Sequence, residues 1–94
     1  MSSAKIIQIG PDDNVAIALR DLQAGDIVGL GGRLVRVLEP ILSGHKVALR
    51  DLVAGEKIIR YNMPIGSASE NIACGAHVHM HNLKSDYIPT RTLD

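Results

Sequence analysis

The nine-residue segment ALRDLQAGD at residues 18–26 returns 30 positions later as ALRDLVAGE at residues 48–56. Seven of the nine positions are identical. Looser copies, each an apolar residue followed by two residues and a glycine, stand at residues 41–44 and 72–75. Two copies are too few to stack a solenoid. We therefore interpret the repeat as one strand-turn-strand unit used twice, the alternative being shared turn chemistry alone.

The residues before each repeated turn alternate in a way that predicts strands. Val15, Ile17 and Leu19 alternate with smaller or polar residues, and so do Val47 and Leu49. A period of two predicts a strand with one buried face. A helix over residues 12–22 is the competing interpretation, because the polar residues at its start can cap a helix.

The repeated Asp-Leu-x-Ala-Gly segment is expected to be a single helical turn ended by its glycine, since aspartate bonds nearby amides and glycine adopts positive φ. Residues 29–32 predict a hairpin turn leading into a strand at 34–38. Residues 62–66 are expected to form a loop. The sequence thus predicts an all-β fold, a small β-barrel or clip of short strands over residues 1–84, followed by an extended tail at residues 85–94.

Composition narrows the possible partners. The 94 residues suit one small domain, and 10 basic against 10 acidic residues leave no net charge. A nucleic-acid binder needs a basic face, so that class is not expected, whereas a homo-oligomer or another protein partner is mildly favoured. A single cysteine, no signal segment and no long apolar run predict a cytoplasmic protein without a membrane span.

The chemistry-bearing residues are concentrated near the end of the chain. If residues 77–81 form a strand, His77, His79 and His81 share one face. Neutral imidazoles in such a row can bind a metal or transfer protons. A solvated strand face is the structural alternative. The run contains no carboxylate, so a complete metal site would need groups from elsewhere in the protein or from a partner.

A second candidate follows a glycine, where a turn can expose both His45 and Lys46 to a carboxylate or hydroxyl ligand. Taken alone, this pair is equally consistent with an ordinary polar surface turn.

The segments at residues 13–16, 44–49, 65–66 and 75–82 together resemble the SAF domain of the altronate and galactarate dehydratase family. The small subunit of sulfolactate sulfo-lyase is similar in the same places. The resemblance implies a β-clip fold and lyase chemistry on a small hydroxy acid. It also implies a large catalytic subunit or domain as partner, and dependence on a divalent metal, expected to be iron.

The resemblance further implies that the histidines face an active site shared with that partner. We expect catalytic roles for His45, His79 and His81, with metal ligation by His77, His79 and His81. Lys46 and Asn82 are the expected substrate-binding residues. Dehydration needs a base for the proton α to a carboxylate and an acid for the leaving hydroxyl, and histidine suits both. A lid or binding module without chemistry, or an independent metal-binding protein, remains the alternative.

Overall fold

The computed structural model describes residues 5–84, and the predicted tail lies outside them. Within this range the chain forms strands, turns and loops, with no helix, so the all-β prediction is confirmed. The elements are β1 Ile6–Ile7, β2 Val15–Ala18, β3 Ile27–Leu30, β4 Arg33–Arg36, β5 Lys46–Ala48, β6 Lys57–Arg60, β7 Met63–Ala68, β8 His77–Val78 and β9 Leu83–Lys84.

Strand pairing divides the described residues into three antiparallel sheets. The first has the order β1-β2-β5-β8, the second is the β3-β4 hairpin, and the third has the order β6-β7-β9. Each sheet has two edge strands, so pairing within residues 5–84 does not by itself close a barrel.

The first sheet is covered on both faces. Its strands contribute Ala16, Ala18 and Val47 to one apolar cluster, and Val15, Ala48 and Val78 to another. Since side chains alternate along a strand, these two sets point to opposite faces. The expectation of one buried face is therefore wrong at β2, where Val15 and both alanines are buried; Leu19, directly after the strand, is 48% exposed.

The repeated segments end in β-turns and not in single helical turns, which corrects the second local prediction. In the first, the Asp26 amide donates to the Gln23 carbonyl at 3.0 Å around Gly25, whose φ is +93°. Three more turns have the same bond and a glycine of φ +88° to +90° in the third position, at residues 42–45, 53–56 and 73–76. Positive φ at that position is the signature of a type II turn.

The looser copies prove to be the partners of the repeated segments. Leu22 bridges to Ile41, and Leu52 bridges to Ile72. Each repeat's aspartate reaches across such a bridge to cap the facing turn. Asp21 accepts from the Ser43 amide at 2.9 Å, and the equivalent Asp51 accepts from the amide of Cys74 at 2.8 Å.

The hairpin predicted at residues 29–32 is confirmed as the turn between β3 and β4. The loop expected at 62–66 is wrong, because β7 runs through it. Pro64 is accommodated where the pairing with β6 shifts register, opposite Ile59. Such an irregularity is a position in which a sheet tolerates proline.

Candidate functional site

The described histidines come together where β5 pairs with β8. Val47 lies opposite His77 in this antiparallel pair, and Lys46 lies opposite Val78. His45, directly before β5, is thereby brought to the two histidines of the β8 segment. The pairing joins residues 30 and 32 positions apart in the chain.

Three imidazole rings pack against one another at this junction. The His45 ring stacks on His77 with centroids 5.0 Å apart and on His79 at 4.5 Å. Nδ1 of His45 and Nε2 of His77 are 2.8 Å apart, a hydrogen bond in which one ring donates and the other accepts. All three residues are half-buried, so the cluster lies at the protein surface with part of each ring packed inside.

The prediction of a straight row of histidines along one strand is wrong. Strand β8 ends at Val78, and the chain turns through residues 79–82 before β9 begins. His81 is exposed on this turn, with its ring tilted and 5.3 Å from that of His77. The compact group is therefore His45, His77 and His79. The metal-binding and catalytic roles of His81 stay predictions.

Asn82 holds the turn that carries the histidines. Its side chain is only 3% exposed; its oxygen accepts from the His79 amide at 2.9 Å and its nitrogen donates to the His77 carbonyl at 2.8 Å. Both ends of the amide are thus bonded to the backbone of the cluster. This positions the two histidines, and the expected contact of Asn82 with substrate stays a prediction.

Glu39 is a site residue that the sequence reasoning missed. Its carboxylate accepts from the His77 amide at 3.0 Å, which ties the histidine strand to the segment after β4. A carboxylate followed by a proline at the end of a predicted strand was the available signal, but nothing in the sequence pairs it with residue 77.

The surroundings of two of the rings, His77 and His79, favour the neutral imidazole. Burial lowers the pKa of His77, and the neighbouring His45, His81 and His79 lower it further, against a raising effect of Glu39. Burial also lowers the pKa of His79, with His45, Lys46 and His81 adding to the effect. The neutral imidazole is the form that binds metals and accepts protons.

The donor set fits a divalent transition metal. One ring nitrogen from each of His45, His77 and His79 lies within 4.8 Å of the others, and no further group of three or more such donors occurs within residues 5–84. Imidazole suits zinc, copper, iron and nickel. Metal-nitrogen bonds of about 2.0–2.1 Å place tetrahedral ligands roughly 3.3 Å apart, so the 2.8 Å contact would open slightly on binding.

Among the residues described, no helix is long and apolar enough to cross a membrane.

The family model for the altronate/galactarate dehydratase SAF domain matches residues 4–86. The chain belongs to this family. Its SAF domain is thus recognisable over nearly all of the sequence, in agreement with the resemblance carried by the histidine and Gly-His-Lys segments.

Some relatives of this SAF domain are much longer proteins, and one is a subunit of similar length. The chain is 41% identical over 80 residues to altronate dehydratase of Bacillus subtilis and 42% identical over 80 residues to that of Escherichia coli. Each match covers 85% of this chain and 16% of the relative. The (2R)-sulfolactate sulfo-lyase subunit alpha of Chromohalobacter salexigens is 45% identical over 49 residues, which is 52% of either chain. The chain therefore spans about a sixth of the length of the dehydratases it matches.

Proposed function

We propose that this SAF domain contributes the imidazoles of His45, His77 and His79 to an active site shared with a larger catalytic body of a sugar-acid dehydratase. The close packing of these three rings beside the surface is the observation that carries the proposal. The small share of each dehydratase that the chain covers supports a separate catalytic body. The cytoplasm as compartment and a homo-oligomer remain predictions.

Dehydration of a hydroxy acid requires one group that acts as a base and another that acts as an acid. Loss of water from a hydroxy acid removes the proton α to the carboxylate and protonates the leaving hydroxyl. His79, with its lowered pKa, is neutral near pH 7 and suited to accept the first proton. His45 lies beside it and, with the exposed His81, is assigned to the acid role, while Lys46 holds the substrate carboxylate.

In the alternative in which the cluster binds a divalent metal, expected to be iron, the ion would be held by His45, His77 and His79 together with groups from the catalytic body. The ligating rings would then not transfer protons. When bound, it supplies Lewis-acid stabilisation of the charge that develops on the substrate carboxylate. The chain's own part is to orient the rings, and Glu39 and Asn82 do so for His77 and His79 through bonds to their backbone.

The test is a chimera. The matching segment of the Bacillus subtilis altronate dehydratase is replaced by this chain, and turnover of altronate is measured. We expect an active chimera whose kcat falls about 100-fold or more in His79→Ala and His45→Ala, the usual loss for a general acid or base. The outcome that would contradict the proposal is unchanged kcat in both variants.

Met80→Ala is the matched control, because Met80 lies between His79 and His81 in the sequence yet is 83% exposed. It should leave kcat unchanged. If the histidine variants raise KM with kcat preserved, the domain is a lid or binding module without chemistry, which was the alternative from the sequence.

A sulfolactate sulfo-lyase subunit is the second candidate, favoured by the 45% identity to a subunit alpha. The two candidates differ in the group that leaves. The chain combined with the remaining subunit of that enzyme would release sulfite from (2R)-sulfolactate, whereas the altronate chimera would release water. The combination with the higher kcat/KM identifies the chemistry.

A further inference from the structure

Lys46 and Arg60 differ from the other described lysines and arginines in being half-buried, and neither has an acidic partner among the described residues. Within residues 5–84 the ion pair present joins Arg50 to Glu56. Arg60 is half-buried, and its Nε is buried with no hydrogen-bond partner. Buried polar groups in native proteins are rarely left unpaired, and each exception calls for an explanation.

The fold brings these two cations to the same side of the first sheet. Lys46 lies opposite Ile17 and Val78 in the sheet, so its side chain shares their face. Strand β6 covers that face, since its Ile58 packs in the same cluster as Val78. Arg60 is the last residue of β6.

The end of β6 is fixed in this position by Asn14, at the start of β2. Its side chain accepts from the Ile59 amide at 2.8 Å and donates to the Lys57 carbonyl at 2.9 Å. The guanidinium of Arg60 lies 4.9 Å from the centre of the Tyr61 ring. Burial lowers the pKa of Lys46 and repulsion from Arg60 lowers it further, as expected of two close cations without a counter-ion.

We propose that Lys46 and Arg60 form a carboxylate-binding subsite, whose ligand is the carboxylate of a small hydroxy acid. This inference rests on the proposed function for the nature of the ligand. A guanidinium binds a carboxylate through two parallel N–H donors, and an ammonium adds a third donor with a second positive charge. A carboxylate bound by the terminal nitrogens of Arg60 and by Lys46 thereby supplies the counter-ion that the pair lacks.

The subsite approaches the histidine cluster at His79. Lys46 and His77 point to opposite faces of the first sheet, since Lys46 pairs with Val78 and His77 pairs with Val47. The charge of Lys46 nevertheless acts on His79, which lies on the turn after β8. A hydroxy acid held by its carboxylate at this pair is therefore nearest to the His79 imidazole. Arg60 is the new element, since the sequence reasoning had assigned only Lys46 to substrate binding.

The test is a titration of the ¹⁵N-labelled 94-residue chain in metal-free buffer at fixed ionic strength, followed by NMR. The probes are gluconate, its neutral counterpart sorbitol, and sulfate. We expect gluconate to shift the amide signals of β5 and of the end of β6, with sorbitol causing no shift. Arg60→Gln and Lys46→Gln should each weaken gluconate binding by about tenfold or more, the loss expected for a charge-assisted bond.

Arg36→Gln is the matched control, because it removes the same charge from an exposed strand residue; it should change gluconate binding less than twofold by comparison with about tenfold for the subsite variants. Retained dispersion of the spectra shows that each variant is folded. The inference is overturned if gluconate does not bind, if Arg60→Gln binds as well as the wild type, or if sulfate competes equally and Arg36→Gln is equally weakened. Because no catalytic body or metal is present, this result is independent of the chimera's activity.

Discussion

Two hairpins among the described residues, β3-β4 and β6-β7, make the same tight turn from different residues. Between β3 and β4 the turn is Gly31-Gly32, with φ of +54° and +85°; between β6 and β7 it is Tyr61-Asn62, both at +57°. Positive φ at both central positions is the hairpin turn that matches strand twist. Glycine adopts it freely, whereas other residues are strained by roughly 1–2 kcal/mol each.

Asp13 explains how the second hairpin tolerates that strain. Its buried carboxylate accepts from the amides of Tyr61 at 3.0 Å, Asn62 at 2.7 Å and Gly10 at 2.9 Å. No comparable side chain contacts Gly31 or Gly32 among the described residues. The second hairpin is thus fastened to the N-terminal loop, and the first depends on glycine alone.

The same asymmetry recurs in the β-turns that precede β5 and β8. A methyl group added at Gly44 would meet nothing within 4 Å, whereas one at Gly75 would collide with the carbonyl oxygen of Arg36. The backbone at Gly75 is also bonded to the Leu38 amide at 3.0 Å. In both comparisons the turn that lies later in the chain makes more contacts with the rest of the protein. The later of the two β-turns leads into the segment with His77 and His79. A site that depends on ring placement gains from such rigid support.

The largest expected difference in the free energy of unfolding is between alanine substitutions at Gly44 and at Gly75. Gly44→Ala adds only backbone strain and should lower the free energy of unfolding by about 1–2 kcal/mol. Gly75→Ala adds a clash with the Arg36 backbone and should cost about 3 kcal/mol or more, enough to unfold a small domain. Urea unfolding followed by circular dichroism measures both. Equal losses in the two variants would show that the later turn is no more constrained.

The second prediction concerns a substitution that removes the Asp13 carboxylate from the Tyr61-Asn62 turn. Asp13→Ala leaves three backbone amides without their carboxylate and should destabilise the fold by about 2–4 kcal/mol in urea unfolding. Asp12→Ala is the control: its amide, which the variant retains, donates to the Asn62 side chain at 2.8 Å, so a change within about 0.5 kcal/mol is expected. A small loss in Asp13→Ala would mean that the strain at Tyr61 and Asn62 is relieved elsewhere.

Part of this organisation was predictable from the sequence. The repeat correctly located the turns at Gly25 and Gly55, because glycine adopts the positive φ that they need. Its aspartates were expected to bond nearby amides, whereas they cap facing turns 22 and 23 positions away. The glycine pair at residues 31–32 likewise predicted a hairpin. At Tyr61-Asn62 a turn was expected only because asparagine tolerates positive φ. The positive φ of Tyr61 itself depends on Asp13, which lies 48 positions away in the chain.

The residue types of the site were predictable from the sequence, and the family resemblance grouped the histidines, but their arrangement in space was not predictable. The spacing of His77, His79 and His81 suggested a strand row, yet the bonds of Asn82 turn the chain after Val78. His45 enters the cluster through the register of β5 with β8, and Arg60 approaches Lys46 through the packing of β6 on the sheet. Both are long-range consequences of the fold that local periodicity does not contain.

The smallest expected effect is acid sensitivity at Asp13. Burial would raise the pKa of this carboxyl, but the amides of Asn62, Gly10, Tyr61 and Ile9 together outweigh it and lower the pKa below its usual 3.8. A carboxyl with a lowered folded-state pKa contributes stability that is present above the unfolded value and is lost as pH falls through the folded value. The free energy of unfolding should therefore decline as pH falls below 3.8, with Asp13 protonated.

Asp13→Asn isolates this contribution, because an amide cannot titrate. Its urea-derived free energy of unfolding should be lower than that of the wild type at pH 7, and the two should converge as the pH is lowered. Glu56, whose pKa is lowered chiefly by its bond to Arg50, titrates in both proteins and cancels in the difference. Protonated Asp13 keeps an oxygen that can accept from the turn, so the acid effect should be smaller than that of Asp13→Ala. A difference between the two proteins that stays constant from pH 7 to pH 2 would show that the charge of Asp13 does not stabilise the Tyr61-Asn62 turn.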